Sequence, residues 1–419
     1  MNFIMKKNIN KFFIILIIVL ISIFSGYENP KLVEIPKKYF YFALKKIGLR
    51  DNFLNQQIDG LDHKEETTKS NEFRANSFSV ILTKLKSFSG LSSSLIMSKN
   101  GEESEYEIFT QEGFKIEKNR ISEMNLPISF YKEQAGGVKS VFTIEDENYA
   151  LISAKKLSCF YASLINLRNS KEILKSKCLP DNKGIQFSGL GGAYIKTENE
   201  IILSIGVPAH KAEKISALAQ KKNSIFGKML LIENKVLLDQ SQNEINYKIY
   251  SSGHRNPQGL VLIGKRLFSL EHGPHGGDEL NEIIEGENYG WPIASLGTEY
   301  GTHKSYESHA SDNFKKPLFV FIPAVAPSAL NVCPKNLSQY YKSYDCLMGL
   351  SLKAMSILVF LIEKDTDHVV SVEKIFLNKR LRHFGLEKKG NLFLDEDENF
   401  YITADGDGLY KIKFTGFIN

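Results

Sequence analysis

Apolar and polar positions alternate in short runs along most of this chain, and the runs are punctuated by glycine and by acidic turns. The clearest case lies between Gly253 and Pro292. There, Leu260–Ile263 and Arg266–Leu270 are predicted strands, and Gly264-Lys265 between them forms a hairpin turn. Polar residues gather just before the first strand (Arg255, Asn256, Gln258) and just after the second (Glu271, His272, Asp278, Glu279). A hairpin carries both groups to the same end of a sheet, so a polar site is expected on loops held by a rigid β scaffold.

The same shape recurs. Ile144 to Ile152, Lys196 to Ser204 and Leu394 to Ile402 are each an acidic turn followed by an apolar strand. Each follows a glycine-led strand, at Gly136-Gly137, Gly191-Gly192 and Gly385. Divergent hairpins over some 340 residues, with no long helical pattern between them, predict an all-β architecture. A six-bladed β-propeller accounts for the length at about 57 residues per blade, and a large sandwich is the alternative. Asp395, Asp397 and Asn399 have the opening spacing of a calcium loop, but Phe400 and Gly406 stand where Gly and Glu are required, so this is a turn.

The N-terminal pattern differs. Lys6, Lys7 and Lys11 precede an apolar run from Phe12 to Phe24. Thirteen residues match a secretory signal core better than a spanning helix of about 20. Residues 1–26 are therefore expected to be a signal peptide or an uncleaved signal anchor, 27–72 a tether with a short amphipathic helix at Lys37 to Leu49, and 73–417 the propeller. Either form of the leader exports the chain to a periplasmic or other extracytoplasmic location, released or held at the inner membrane.

Composition adds little beyond this. The net charge of +5 is spread along 419 residues, and no basic run with interleaved aromatics points to nucleic acid. The four cysteines form two local pairs, Cys159 with Cys178 and Cys333 with Cys346. In an exported chain an even count suggests disulfides, with buried free thiols as the alternative. No hydrolase elbow, phosphate loop or dinucleotide motif is present in the sequence.

The stretch G-H-R-N-P-Q-G-L, then E-H-G-P-H-G-G-D-E-L-N, then G-E-N-Y-G-W-P resembles the soluble quinoprotein glucose dehydrogenase and aldose sugar dehydrogenase family. The resemblance implies a six-bladed propeller that uses pyrroloquinoline quinone and calcium to oxidise a sugar hydroxyl, passing electrons to a further acceptor. It places cofactor contacts at Arg255, Asn256 and Gln258, at Lys353, and at Arg380 and Arg382. It places calcium on the backbone carbonyls of Gly273 and Pro274. Pyrroloquinoline quinone carries three carboxylates, and Arg suits carboxylates because its planar fork donates two parallel hydrogen bonds.

The resemblance breaks where the proton must go. Oxidation of a hydroxyl needs a base, and the family's catalytic histidine falls on Gly189, its nearby arginine on Ala193 and a cofactor-contacting threonine on Ala324. His254, His272 and Asp278 are the remaining candidates, with His210 the nearest histidine downstream of the gap. Asp278 is read either as an acidic residue at the centre or as a support for the glycine-rich loop. The alternative function is a catalytically inactive propeller that binds a carbohydrate or a protein.

Overall fold

The computed structural model describes residues 70–75, 77–180, 184–209, 213–239, 241–242, 244–311 and 313–417. The expected leader, the Lys37 to Leu49 helix and His210 lie outside the described residues. Among the described residues no helix is long and apolar enough to cross a membrane.

The strands form six four-stranded antiparallel blades: residues 92–123, 138–175, 191–252, 257–321, 327–376, and a sixth from 381–417. The sixth blade has three strands from the C-terminal end, and its fourth is Phe78–Ser87, which pairs with Gly408–Phe417. Ser70–Arg74 adds a fifth strand outside it. The last blade is thus completed by the first part of the propeller sequence, and the ring is closed. The six inner strands touch one another in cyclic order. Inner strands of blades 6 and 1 even pair in parallel, Gly385 with Leu95 and Glu387 with Met97. This is the expected six-bladed propeller, and the predicted hairpin of blade 4 is present as Pro257–Ile263 and Arg266–Glu271.

Alternation along the strands fills the space between blades. Each of the six interfaces has its own apolar cluster, for example Phe268, Leu270, Leu347 and Phe360 between blades 4 and 5. Ile96, Phe109, Val141 and Ile152 join blades 1 and 2. Each fully buried Phe or Leu contributes roughly 2 kcal/mol, so the ring is held by stacked faces, with no single centre. Two disulfides, Cys159–Cys178 and Cys333–Cys346, close loops on blades 2 and 5.

One repeated irregularity shapes the site. In every blade the register of the inner strand against its neighbour shifts at the first residues: between Ser92 and Ser94, Val138 and Ser140, Gly191 and Tyr194, Pro257 and Gly259, Pro327 and Ala329, and Leu381 and Phe384. A bulge bends a strand and re-aims the extra side chain. Six bulges at one end of the ring give a mouth encircled by the extra residues: Ser93, Lys139, Gly192-Ala193, Gln258, Ser328 and Arg382-His383.

Candidate active site

The mouth lies over a central cavity of ≈ 330 Å³ lined from all six inner strands, among them by Ser93, Lys139, Gly192, Gln258, Leu330 and His383. The polar clusters of blade 4 meet at its rim, as the hairpin predicts. Arg255 and Asn256 precede the inner strand, and Glu271 to Asp278 run from the second strand into the third.

Glu271 organises this corner. It is buried, and its carboxylate accepts hydrogen bonds from the Arg255 amide at 3.1 Å and Asn281 Nδ2 at 2.9 Å. It also faces His254 Nδ1 at 3.2 Å. His254 Nε2 is 2.8 Å from Ser251 Oγ, and the ring stacks on Tyr289 at 4.6 Å between centroids. With 0% exposure and both ring nitrogens engaged, His254 has no path to a substrate. The expectation that it could act as the base is corrected: it is a core residue.

Asp278 is sealed in a different way. At 1% exposure, its Oδ1 accepts from the Gly273 amide at 2.9 Å, and its Oδ2 accepts from the amides of Val325 and Ala326, both at 2.7 Å. These bonds fold the glycine-rich loop and tie it to the segment leading into blade 5. Of the two readings of Asp278, this geometry is that of the loop support: both carboxylate oxygens are bonded to backbone amides.

His272 is the candidate that keeps some exposure, and it borders a small space beside Gly273 and Pro274. It is part-buried between the cations of blades 4 and 6, and its pKa is drawn down to about 4. Burial is the main cause; Arg255 and Arg382 add to it, and Asp278 opposes it. The ring is therefore neutral at ordinary pH, with a nitrogen able to accept a proton.

The expected cofactor contacts divide. Arg255 lies over the Trp291 ring at 5.3 Å and donates from Nη1 to the His272 carbonyl. Arg382 is held by the Asp405 carboxylate, which accepts from its Nε at 2.9 and 3.0 Å and again from Nη2. Both arginines act electrostatically on His272. Asn256 is only 5% exposed; its Oδ1 accepts from the Gly191 amide at 3.0 Å and from Gln258 Nε2 at 2.8 Å. Asn256 thus joins blade 4 to blade 3 through its side-chain oxygen. Lys353 and Arg380 are exposed on blades 5 and 6, and no contact ties their side chains to the other cations among the described residues.

Gly273 and Pro274 are buried, and the Pro274 carbonyl accepts from the Tyr300 hydroxyl at 3.1 Å. A space of ≈ 10 Å³ lies beside them, bordered by Arg255, Glu271 and Glu279. Carbonyl and carboxylate oxygens suit a hard cation such as calcium. Among the described residues no group of three or more His, Cys, Asp or Glu side chains could hold a metal.

Trp291 Nε1, beside Arg255, and Ser140 Oγ, on the lining of the central cavity, are buried with no hydrogen-bond partner among the described residues. Buried polar groups are ordinarily paired, so an indole N–H left unmatched beside Arg255 suits a bound polar ligand. The missing histidine has a structural cause. A Cβ at Gly189 would lie 2.3 Å from the Val207 carbonyl oxygen, so this turn has no room for a side chain.

Lys139 escaped the sequence reading, because an isolated lysine on a strand reads as a solvated charge. Only the bulge turns it inward.

The chain matches the Glucose / Sorbosone dehydrogenase family over residues 145–402. It belongs to that family. It is 30% identical over 156 residues to the Aldose sugar dehydrogenase YliI of Escherichia coli, covering 36% of this chain and 42% of that one. It is 40% identical over 78 residues to the Quinoprotein glucose dehydrogenase B of Acinetobacter calcoaceticus, covering 18% and 16%. The matched stretches thus span less than half the length of these curated relatives. The soluble aldose sugar dehydrogenase of Escherichia coli, solved in its apo form, has a similar fold. Its TM-score is 0.63 at 18% identity, covering 80% of this chain and 99% of that one.

Proposed function

We propose that this propeller is an exported sugar dehydrogenase that binds pyrroloquinoline quinone and calcium at the mouth and oxidises an aldose hydroxyl to the lactone. The observation that carries the reading is Arg255 lying over Trp291, whose N–H is unpaired, with Arg255 and Arg382 both acting on His272. A planar tricarboxylate needs fixed cations and donors in that arrangement. Bound at this site, pyrroloquinoline quinone would supply a hydride acceptor, and calcium on the Gly273 and Pro274 carbonyls would supply Lewis-acid polarisation.

The residues of the chain do the rest. Arg255 and Arg382 neutralise carboxylates, and Lys353 and Arg380 add charge from the rim. Asp405 fixes the fork of Arg382, and the Trp291 ring fixes that of Arg255. Gly273 and Pro274 offer carbonyls to calcium. His272 stands where it can take the hydroxyl proton, the one member of the candidate set not sealed in the core. Electrons then leave to an acceptor outside the chain.

A second reading has one observation in its favour. Gly189 leaves no space for the family's base, and a propeller without a working base would bind a carbohydrate or a protein and not turn it over. Reconstitution with pyrroloquinoline quinone and calcium, followed by aldose-driven dye reduction, separates the two. Turnover that is lost in His272→Asn supports the dehydrogenase; cofactor binding with no turnover on any aldose supports the second reading.

A further inference from the structure

Lys139 is not used by the proposed chemistry, and no family motif assigns it. It is the bulge residue of blade 2, between Val138 at 0% exposure and Ser140 at 2%. The equivalent bulge residues are Gln258 in blade 4 and Arg382 with His383 in blade 6. Lys139 therefore points into the mouth by the same backbone device that aims Arg382. Its stem is wedged against blade 3: a Cβ at Gly192 would lie 3.2 Å from the Lys139 Cβ, so only glycine lets the two strands approach this closely.

The charge on Lys139 is poorly matched. Among the described residues it forms no ion pair, and its ammonium donates to the neutral Ala135 carbonyl at 2.6 Å. The groups that face it are Arg382 and His383 from blade 6, Tyr194 from blade 3 and Glu112 from the turn of blade 1. Asp405 compensates Arg382 through two of its nitrogens, whereas Lys139 has no such partner. Arg382 disfavours the charged form of Lys139 electrostatically, and an anion between the two cations would relieve both.

We propose that Lys139 is an additional carboxylate-binding residue, which together with Arg382 grips one acidic group of the quinone cofactor from the blade 2 side of the mouth. The assignment rests on the proposed cofactor. It also has a thermodynamic signature. Burial first, and Arg382 second, pull the ammonium down to about 7, with Glu112 opposing. The lysine is thus partly neutral before binding, and a carboxylate beside it restores the charged form. Binding should draw a proton from solution at pH 7.5.

Calorimetric titration of the full chain with pyrroloquinoline quinone and calcium, in buffers of different ionisation enthalpy, measures this uptake directly. Lys139→Met should abolish the uptake and weaken binding by roughly tenfold or more. Lys139→Arg, which cannot lose its proton, should bind with no uptake, and its affinity should exceed that of the native chain most at pH 8.5. Melting temperatures of both variants control for folding, and Lys139→Arg keeps the test valid if Lys139→Met is unstable. Benzene-1,3,5-tricarboxylate, titrated in parallel, shows whether carboxylates alone suffice. Cofactor binding in Lys139→Met with unchanged affinity and unchanged uptake would overturn the role of Lys139 and leave the dehydrogenase reading intact. Native protein that binds no cofactor at all would overturn both.

Discussion

Asp278 in the third strand of blade 4 accepts a hydrogen bond from the Val325 amide, 47 residues away, at 2.7 Å. Its other oxygen accepts from Gly273, so one buried carboxylate sets both the glycine-rich loop and the segment leading to blade 5. Asp278→Ala leaves three buried amides without an acceptor and should cost about 3 kcal/mol or more. Urea unfolding checks this, and a loss below about 1 kcal/mol would contradict the clamp.

His254 and His272 sit in the loops just before and just after the same hairpin, yet they should respond in opposite ways. His254→Ala removes a ring stacked on Tyr289 and bonded to Ser251 and Glu271, and should lower stability by about 2–3 kcal/mol. His272→Asn should unfold within about 0.5 kcal/mol of the native protein and, if the proposed reaction occurs, lose at least tenfold in kcat. Parallel denaturation and dye-reduction measurements distinguish the two.

Much of this was legible in the chain. The blade 4 hairpin could be read because Gly264-Lys265 separates two apolar runs, and the acidic turns before Tyr149 and Phe400 marked further blades. Arg255 and Arg382 could be read from motif order. The bulges could not be: no residue type announces a one-residue slip in register, so Lys139 looked like surface charge. Nor could burial of His254, which depends on Tyr289 returning over it from a later loop. Asp278 was readable as a carboxylate but not as one with both oxygens bonded to backbone amides. The closure of blade 6 by Phe78–Ser87 joins segments more than 300 residues apart, and local pattern carries no trace of such pairing.

The disulfides close loops of 19 and 13 positions. In the chain-entropy account each contributes about 3 kcal/mol. Cys159→Ser with Cys178→Ser, and Cys333→Ser with Cys346→Ser, should each lower the urea midpoint, while cofactor affinity changes less than twofold, since Cys333 borders the central cavity only at the end of its strand opposite the bulge.

His383 gives the acid limb of stability. Burial first, and then Arg382, hold its pKa at about 3, against a backbone contact from Ser92 and an ordinary value of 6.5. The folded value lies below the unfolded one, so the contribution is complete above pH 6.5 and is lost as pH falls from there toward 3. The native protein should lose on the order of 2 kcal/mol across that window relative to His383→Asn. Equal slopes for both proteins would contradict the assignment.

The central claim is that the mouth is a working quinone site for sugar oxidation. Its most direct test is an anaerobic absorption spectrum of the chain loaded with pyrroloquinoline quinone and calcium, recorded before and after one equivalent of aldose. The account predicts conversion of the oxidised cofactor spectrum to the reduced one within a single turnover, slowed in His272→Asn and lost in Arg382→Ala. An unchanged spectrum with cofactor firmly bound, across a panel of aldoses, would contradict it and mark the propeller as a binding protein.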